Sequence, residues 1–245
     1  MWIVLCHTND LPALWAYQGL KARGLSPLEL VSAEALASSL RWVHRVGTKE
    51  THFSVRLADG RELSDGNLRG VLNRLMTVPL HLWQSANETD RDYVAQELTA
   101  FYLSWLYGLP CPVINRPTPI GLGGQWRSES EWIHLAGQAG LTTRPYKRSA
   151  EDIVEESSGY PPGFATGANS RVVFVVAGET VGASVPPDVI AGCLRLAKLA
   201  ETELLGIEFV EGDQAEWTFA SANPLPDLRR GGAALLDVLA RALNP

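Results

Sequence analysis

The opening third of the chain constrains the fold most, because its short apolar runs are each closed by a turn signal and separated by helical spacing. Trp2-Ile3-Val4-Leu5-Cys6 ends in His7-Thr8-Asn9-Asp10-Leu11-Pro12, whose Asn-Asp-x-Pro stretch offers a helix cap. Leu14, Tyr17, Leu20 and Lys21 then recur at helical spacing, Gly24 stops that helix, and residues 28–32 read as a second strand. Strand, helix and strand in this order make a βαβ unit, whose two strands run parallel. A helix over 33–40 precedes strands over 42–46 and 52–57, and the Asp59-Gly60 turn favours a hairpin, so the expected sheet is mixed. Gly70-Val71-Leu72-Asn73-Arg74-Leu75 reads as a further buried strand that delivers Asn73 and Arg74 at its end. Strand C-termini are where α/β folds place ligands.

A long helix follows. Glu88-Thr89-Asp90 caps it, Tyr93, Leu98, Phe101, Tyr102, Trp105 and Leu106 form a broad apolar face, and Gly108-Leu109-Pro110 ends it. Val113-Ile114-Asn115-Arg116-Pro117 reads as a strand closing into a loop, kept open by Gly121-Leu122-Gly123-Gly124. A helix over 128–139 stops at Gly140, residues 141–146 read as a strand and 149–157 as a short acidic helix. The Gly- and Pro-rich stretch 159–167 marks the domain boundary. Beyond it come a hairpin over 171–185, a helix over 188–203, strands over 206–210 and 216–220 joined by a turn over 211–214, and a helix over 231–243. The expectation is an α/β protein: an N-terminal α/β domain over 1–118, a connecting segment over 119–160, and an α+β C-terminal domain over 161–245.

Charge and composition narrow the partners. Across 245 residues, 21 Lys and Arg against 27 Asp and Glu leave a net charge of -6, which argues against nucleic acid or an anionic membrane as a constitutive partner. No apolar run approaches the roughly 18 residues of a spanning helix, and the start lacks the basic and small-residue segments of a signal peptide, so a cytoplasmic protein is expected. Cys6, Cys111 and Cys193 are odd in number and far apart. They suit neither a disulfide framework nor a metal site and read as small core residues.

Taken singly, the chemical candidates are few. Gly121-Leu122-Gly123-Gly124 lacks both P-loop spacing and the Lys-Ser/Thr pair. The five histidines show no metal-ligand spacing, and only His7, at a strand end, stands near a place where ligands bind. No GxSxG elbow appears. Trp126, beside Gly123-Gly124 and Arg127, reads as an exposed recognition residue. Arg171 at the hairpin entry and Arg229-Arg230 before the last helix carry guanidinium forks that match carboxylate or phosphate. Glu208 and Asn223, on neighbouring strands, read as one oxygen-rich site, though one carboxylate and one amide make a poor magnesium set.

The order of these pieces resembles the ATP-grasp carboxylate-amine ligases, closest to the branch of glutamate ligases and ribosomal-peptide maturases. Gly70-Val71-Leu72-Asn73-Arg74 is similar to that branch's N-terminal-domain strand, and Val113-Ile114-Asn115-Arg116-Pro117 to its "vvN.p" segment. Glu131-Trp132 through Ala139-Gly140-Leu141-Thr142-Thr143-Arg144-Pro145 resembles the helix and strand that lead into the nucleotide-binding part. The hairpin Arg171-Val172-Val173-Phe174-Val175-Val176-Ala177-Gly178-Glu179-Thr180-Val181 resembles "R.fvvg..v", whose arginine in the family faces the phosphoryl intermediate. Gly206-Ile207-Glu208-Phe209 and Trp217 through Asn223-Pro224 resemble the strands that hold magnesium in the family.

Two departures shape the expectation. The family's clasp of strands, helix and flap needs on the order of fifty residues, whereas residues 148–170, between Lys147 and Arg171, number 23. Ser221 also stands where the family has Glu, and Glu208 where it has Asp; only Asn223 matches. The resemblance then implies an α/β, pre-ATP-grasp-like N-terminal domain followed by a reduced ATP-grasp-like C-terminal domain. It implies a non-catalytic binding or partner subunit of a peptide-modification pathway, with no cofactor, a protein or peptide partner, and a homodimer through the helix over 90–107. Asn73, Arg74, Asn115, Arg116, Trp126, Arg171 and Arg229 are its expected ligand-binding residues. The alternative is a divergent ligase that uses ATP and Mg2+ to form an acyl phosphate, with Lys147 and Arg171 in catalysis and Glu208 and Asn223 on the metal.

Overall fold

With no solvent face at all, Trp2–Cys6 (β1) has every side chain buried, which is the position of a central strand in a parallel sheet. The computed structural model describes residues 1–80, 83–146, 170–212 and 216–245. The chain divides into two compact units, one made of Met1–Trp126 and Asp227–Pro245 and the other of Arg127–Pro226. Lys147, the stretches over 149–157 and 159–167, and Asp213-Gln214 of the expected turn lie outside the described residues.

In the first unit Asp10 accepts a hydrogen bond from Ala13 N at 2.9 Å and so caps Leu11–Ala22 (α1). Leu28–Ser32 (β2) pairs parallel to β1, and Ser32 then caps the short helix Ala33–Ala37 (α2), which ends three residues before the expected one. Arg41–Val46 (β3), Thr51–Arg56 (β4) and Glu62–Ser64 (β5) follow, then Gly70–Asn73 (β6), the helix Glu88–Tyr107 (α3) and Val113–Ile114 (β7). The parallel sheet has the order β2-β1-β6-β7, and β3-β4-β5 form a separate antiparallel sheet. The expected mixed sheet is therefore two sheets. Phe53, Val55 and Leu63 of the small sheet share one core with Ile3, Leu5, Val31 and Val71 of the large one, joined through side chains and not through a strand ladder.

The second half of α3 joins that core, with Tyr102, Trp105 and Leu106 buried and Trp42 set edge-on against Phe101, Tyr102 and Trp105 at 4.7, 5.1 and 4.9 Å. On the other face of the parallel sheet the last helix, Gly232–Leu243 (α6), lies close to β1 and β6. Trp2 Nε1 donates to Leu243 O at 3.0 Å, and a Cβ on Gly70 would stand 2.7 Å from that same oxygen. Asp237 of α6 pairs with Arg23 at 2.5 Å.

The second unit holds Glu129–Gln138 (α4), Thr142–Thr143 (β8), Ser170–Val176 (β9), Glu179–Gly182 (β10), Pro187–Leu199 (α5), Leu204–Glu211 (β11) and Trp217–Asn223 (β12). Ser128 and Glu131 close a capping box on α4. The β9–β10 hairpin turns through Ala177 and Gly178, both at positive φ (47° and 86°), as a two-residue turn of that hand requires. The sheet order is β10-β9-β11-β12-β8. One face packs Val173, Val175, Leu205, Ile207, Phe209 and Phe219 against Trp132, Ile133 and Ala136 of α4 and Val189, Cys193 and Leu196 of α5. The expected strand over 141–146 shrinks to two residues, because only Thr142 and Thr143 pair with β12.

All three cysteines are buried and unpaired. Burial pushes the thiols up, Cys6 to about 12, Cys111 to about 11 and Cys193 to about 12, so they stay protonated at neutral pH. Among the described residues no helix is long and apolar enough to cross a membrane.

Candidate functional site

Two places gather the polar residues that the sequence singles out, one in each unit. In the first, β1, β6 and β7 end side by side and bring Asp10, Asn73, Arg74 and Asn115 to the C-terminal edge of the parallel sheet. Asn73, Arg74 and Asn115 are buried, with exposures of 0%, 5% and 2%. Arg74 donates through Nε to Asp10 Oδ2 at 2.8 Å and through Nη2 to Oδ1 at 3.3 Å, a two-pronged pair in which the arginine is buried and the carboxylate part-buried. Asn73 donates through Nδ2 to the carbonyls of Asn115 at 2.9 Å and Leu122 at 2.7 Å, while its Oδ1 accepts from Leu75 N at 3.2 Å. The amide thereby pins the 115–122 loop to the end of β6.

Around this edge the remaining candidates scatter. Arg116 turns away and donates to Tyr107 O at 3.3 Å and Cys111 O at 2.9 Å. Arg229 grips Asp227 with both prongs at 2.8 and 2.7 Å; that grip, more than any other contact, holds the Asp227 carboxyl below its usual range. His7 Nδ1 lies 3.5 Å from Glu34 Oε1, and Thr8 donates to Glu34 Oε2 at 2.9 Å. Burial pulls the Glu34 carboxyl upward, yet hydrogen bonds from its own backbone, Thr8, His7 and Ser32 hold it below its usual range. Trp126 is 65% exposed.

In the second unit, strand register sorts the candidates by face. Glu208 stands opposite Val172 of β9 and Ser221 of β12, and Gly206 opposite Asn223, so Glu208, Ser221 and Asn223 share one face. Arg171 stands opposite Phe209, whose ring packs on the α4–α5 side, so Arg171 belongs to the other face. It is exposed at the strand end, 3.9 Å from Glu211. A bulge at Glu208/Phe209 sets Phe219 rather than Ala220 beside Phe209, and it is this extra residue that moves Ser221 onto the face of Glu208. Arg171 and the Glu208–Asn223 group are thus not one constellation.

The oxygen donors of that face fit a divalent cation poorly. Glu208, Ser221 and Asn223 offer one carboxylate, one hydroxyl and one amide, and Asn223 Oδ1 already accepts from Leu225 N at 2.8 Å. Magnesium is usually held by one or two carboxylates plus phosphate and water, calcium by six to eight oxygens. Among the described residues no group of three or more His, Cys, Asp or Glu side chains forms a metal cluster. Lys147 lies outside the described residues. Sequence reading missed one further feature, an open groove of about 640 Å³ on α4 and β8 lined by Ile133, His134, Gln138, Arg144, Pro145 and Tyr146. It also took Asp10 for a helix cap alone, although Asp10 is the counter-ion of Arg74.

The architecture is that of the ATP-grasp ligases. Macrocyclase MdnC from Microcystis aeruginosa, solved with its precursor peptide MdnA, matches with a TM-score of 0.76 at 10% identity over 100% of both chains. A RiPP-associated ATP-grasp ligase from Chryseobacterium gregarium, in complex with ADP and leader and core peptide, matches at 0.68 and 9% identity over 98% of this chain and 96% of that one. The ATP-grasp ligase PsnB, complexed with precursor peptide PsnA2 and AMPPNP, matches at 0.68 and 16% identity over 100% and 98%. No protein-family model and no curated protein matches the sequence.

Proposed function

We propose that this protein recognises a peptide and takes part in joining one of its carboxylates to an amine. The observation that carries the reading is the match to MdnC across the whole of both chains, because that macrocyclase is bound to its precursor peptide. In the first form of the reading the chain is itself the ligase, with ATP as co-substrate, Mg2+ as its ion, and Lys147, Arg171, Glu208 and Asn223 as the residues to test. The full-length match supports this form. In the second form the chain binds the peptide while another chain supplies the chemistry. The incomplete oxygen set around Glu208 supports that one, together with the 23 residues between Lys147 and Arg171 and Ser221 in place of a carboxylate.

Isothermal titration of the folded protein with Mg-ATP separates the two. Saturable binding at micromolar affinity favours the ligase form, and no binding up to millimolar ATP rules it out. A labelled array of peptides rich in Asp, Glu and Lys then tests what both share: a folded protein that binds neither Mg-ATP nor any peptide overturns the proposal.

A further inference from the structure

The small antiparallel sheet of the first unit has an edge strand with an unusual outer surface. β3 pairs only with β4, in the register Arg41↔Arg56, Val43↔Ser54 and Arg45↔His52. Gly47 N donates to Glu50 O at 2.9 Å at the hairpin end, which continues the same register and puts Arg41, Val43 and Arg45 in the bonded pairs. The main-chain N–H and C=O groups of Trp42 and His44 then point away from the sheet, and no described main-chain group pairs with them.

The side chains alternate across the same strand. Phe53 and Val55 of β4 are buried, so Trp42 and His44 opposite them face the core and Arg41, Val43 and Arg45 face outward. On this outer face Arg56 is held by Glu62 at 2.8 Å, and His52 sits between Asp65 and Glu50 at 2.9 Å each. Arg41 and Arg45 have no acidic partner among the described residues, and Arg41 stands directly opposite Arg56. Glu62 already meets the charge of Arg56, so Arg41 and Arg45 are the outer-face cations that an anion laid along β3 would meet. Exposed Leu40 and Val46, at 69% and 68%, bracket the strand.

From these observations we infer that β3 binds an acidic peptide in extended form, added as a fourth strand to the small sheet. Main-chain bonds to Trp42 and His44 hold the peptide, and carboxylates at alternate positions meet Arg41 and Arg45, about 13 Å apart along the strand. Charge also protects edge strands from aggregation, but that role alone gives no affinity for a peptide. The inference rests on the β3 surface and does not depend on the ligation reading.

The test is fluorescence anisotropy of the full chain with a labelled peptide of alternating Glu and Val, about ten residues long. Binding is expected to saturate, to weaken about tenfold or more in the double variant R41Q/R45Q, and to weaken as much when alternate peptide residues are N-methylated. The Lys-Val counterpart is expected not to bind. An unchanged melting temperature shows that R41Q/R45Q is folded. The inference is overturned by no binding of the acidic peptide, by equal binding to R41Q/R45Q, or by indifference to N-methylation, which would leave a charge contact without strand addition.

Discussion

The polar edge of the first unit and the polar face of the second differ in how deeply their side chains are buried. Asn73, Arg74 and Asn115 are buried where sheet and loop meet, with the part-buried Asp10 beside them, and Asn73 and Arg74 bond to Asn115, Leu122 and Asp10. Glu208 is half-buried and Ser221 and Asn223 are exposed at their positions on β11 and β12. Low dielectric makes a buried polar network costly to leave half-made, so removing a member of the first group is expected to cost more stability than removing one of the second. Residue type does not separate the two groups; burial does.

The sharpest way to break this contrast is Arg74→Ala, which leaves the part-buried carboxylate of Asp10 without its counter-ion. A loss of about 3–5 kcal/mol is expected, read as a fall in the denaturant midpoint; a loss near zero would mean the pair is solvated and the contrast false. Asn73→Ala removes the donor to two buried carbonyls and should cost about 2 kcal/mol, with faster hydrogen exchange over 115–122. In the second unit Glu208→Gln should change stability by less than about 1 kcal/mol, measured the same way.

Ser221→Glu sharpens the comparison from the other side. It sets a second carboxylate directly opposite Glu208 and should cost about 0.5 kcal/mol through like-charge repulsion. Added Mg2+ should recover that loss in the variant and leave the melting temperature of the parent unmoved. A parent that shifts as much as the variant would show that the oxygen set is already sufficient.

The smallest effects come from two histidines of the small sheet, and they carry opposite signs. Burial holds His44 below the usual range, so its contribution is present above its unfolded pKa of about 6.5 and is lost as pH falls through its folded value. Asp65 and Glu50 hold His52 above that range, so its contribution is present at low pH and is lost as pH rises through its folded value. NMR titration of the two rings checks both directions, and one shared pKa would refute them.

Much of the fold is legible in local patterns. The strands at Trp2–Cys6 and Leu28–Ser32, the caps at Asp10 and Ser128, the Ala177-Gly178 turn and the helix before Gly108 each follow from residues within one turn or one hairpin of each other. The candidate site is less legible. Asn73 and Arg74 are visible as polar residues at a strand end, but their partners are 42, 49 and 64 residues away, beyond any periodicity. Arg41 and Arg45 show no local signal either, because their meaning depends on β3 being an edge and on Phe53 and Val55 claiming the opposite face.

What the sequence by itself determines is therefore the set of elements, since caps, turns and apolar spacing act over a few residues and need no distant partner. Only the tertiary structure decides which element meets which. It returns α6 to the unit that begins at Met1, gives Arg74 the carboxylate of Asp10, and separates the small sheet from the large one. Through one extra residue at Ala220 it carries Ser221 to the face of Glu208 and leaves Arg171 on the other. Side chains alternate strictly along a strand, so a single bulge reverses every face beyond it, and no reading of residue types alone foresees where the bulge falls.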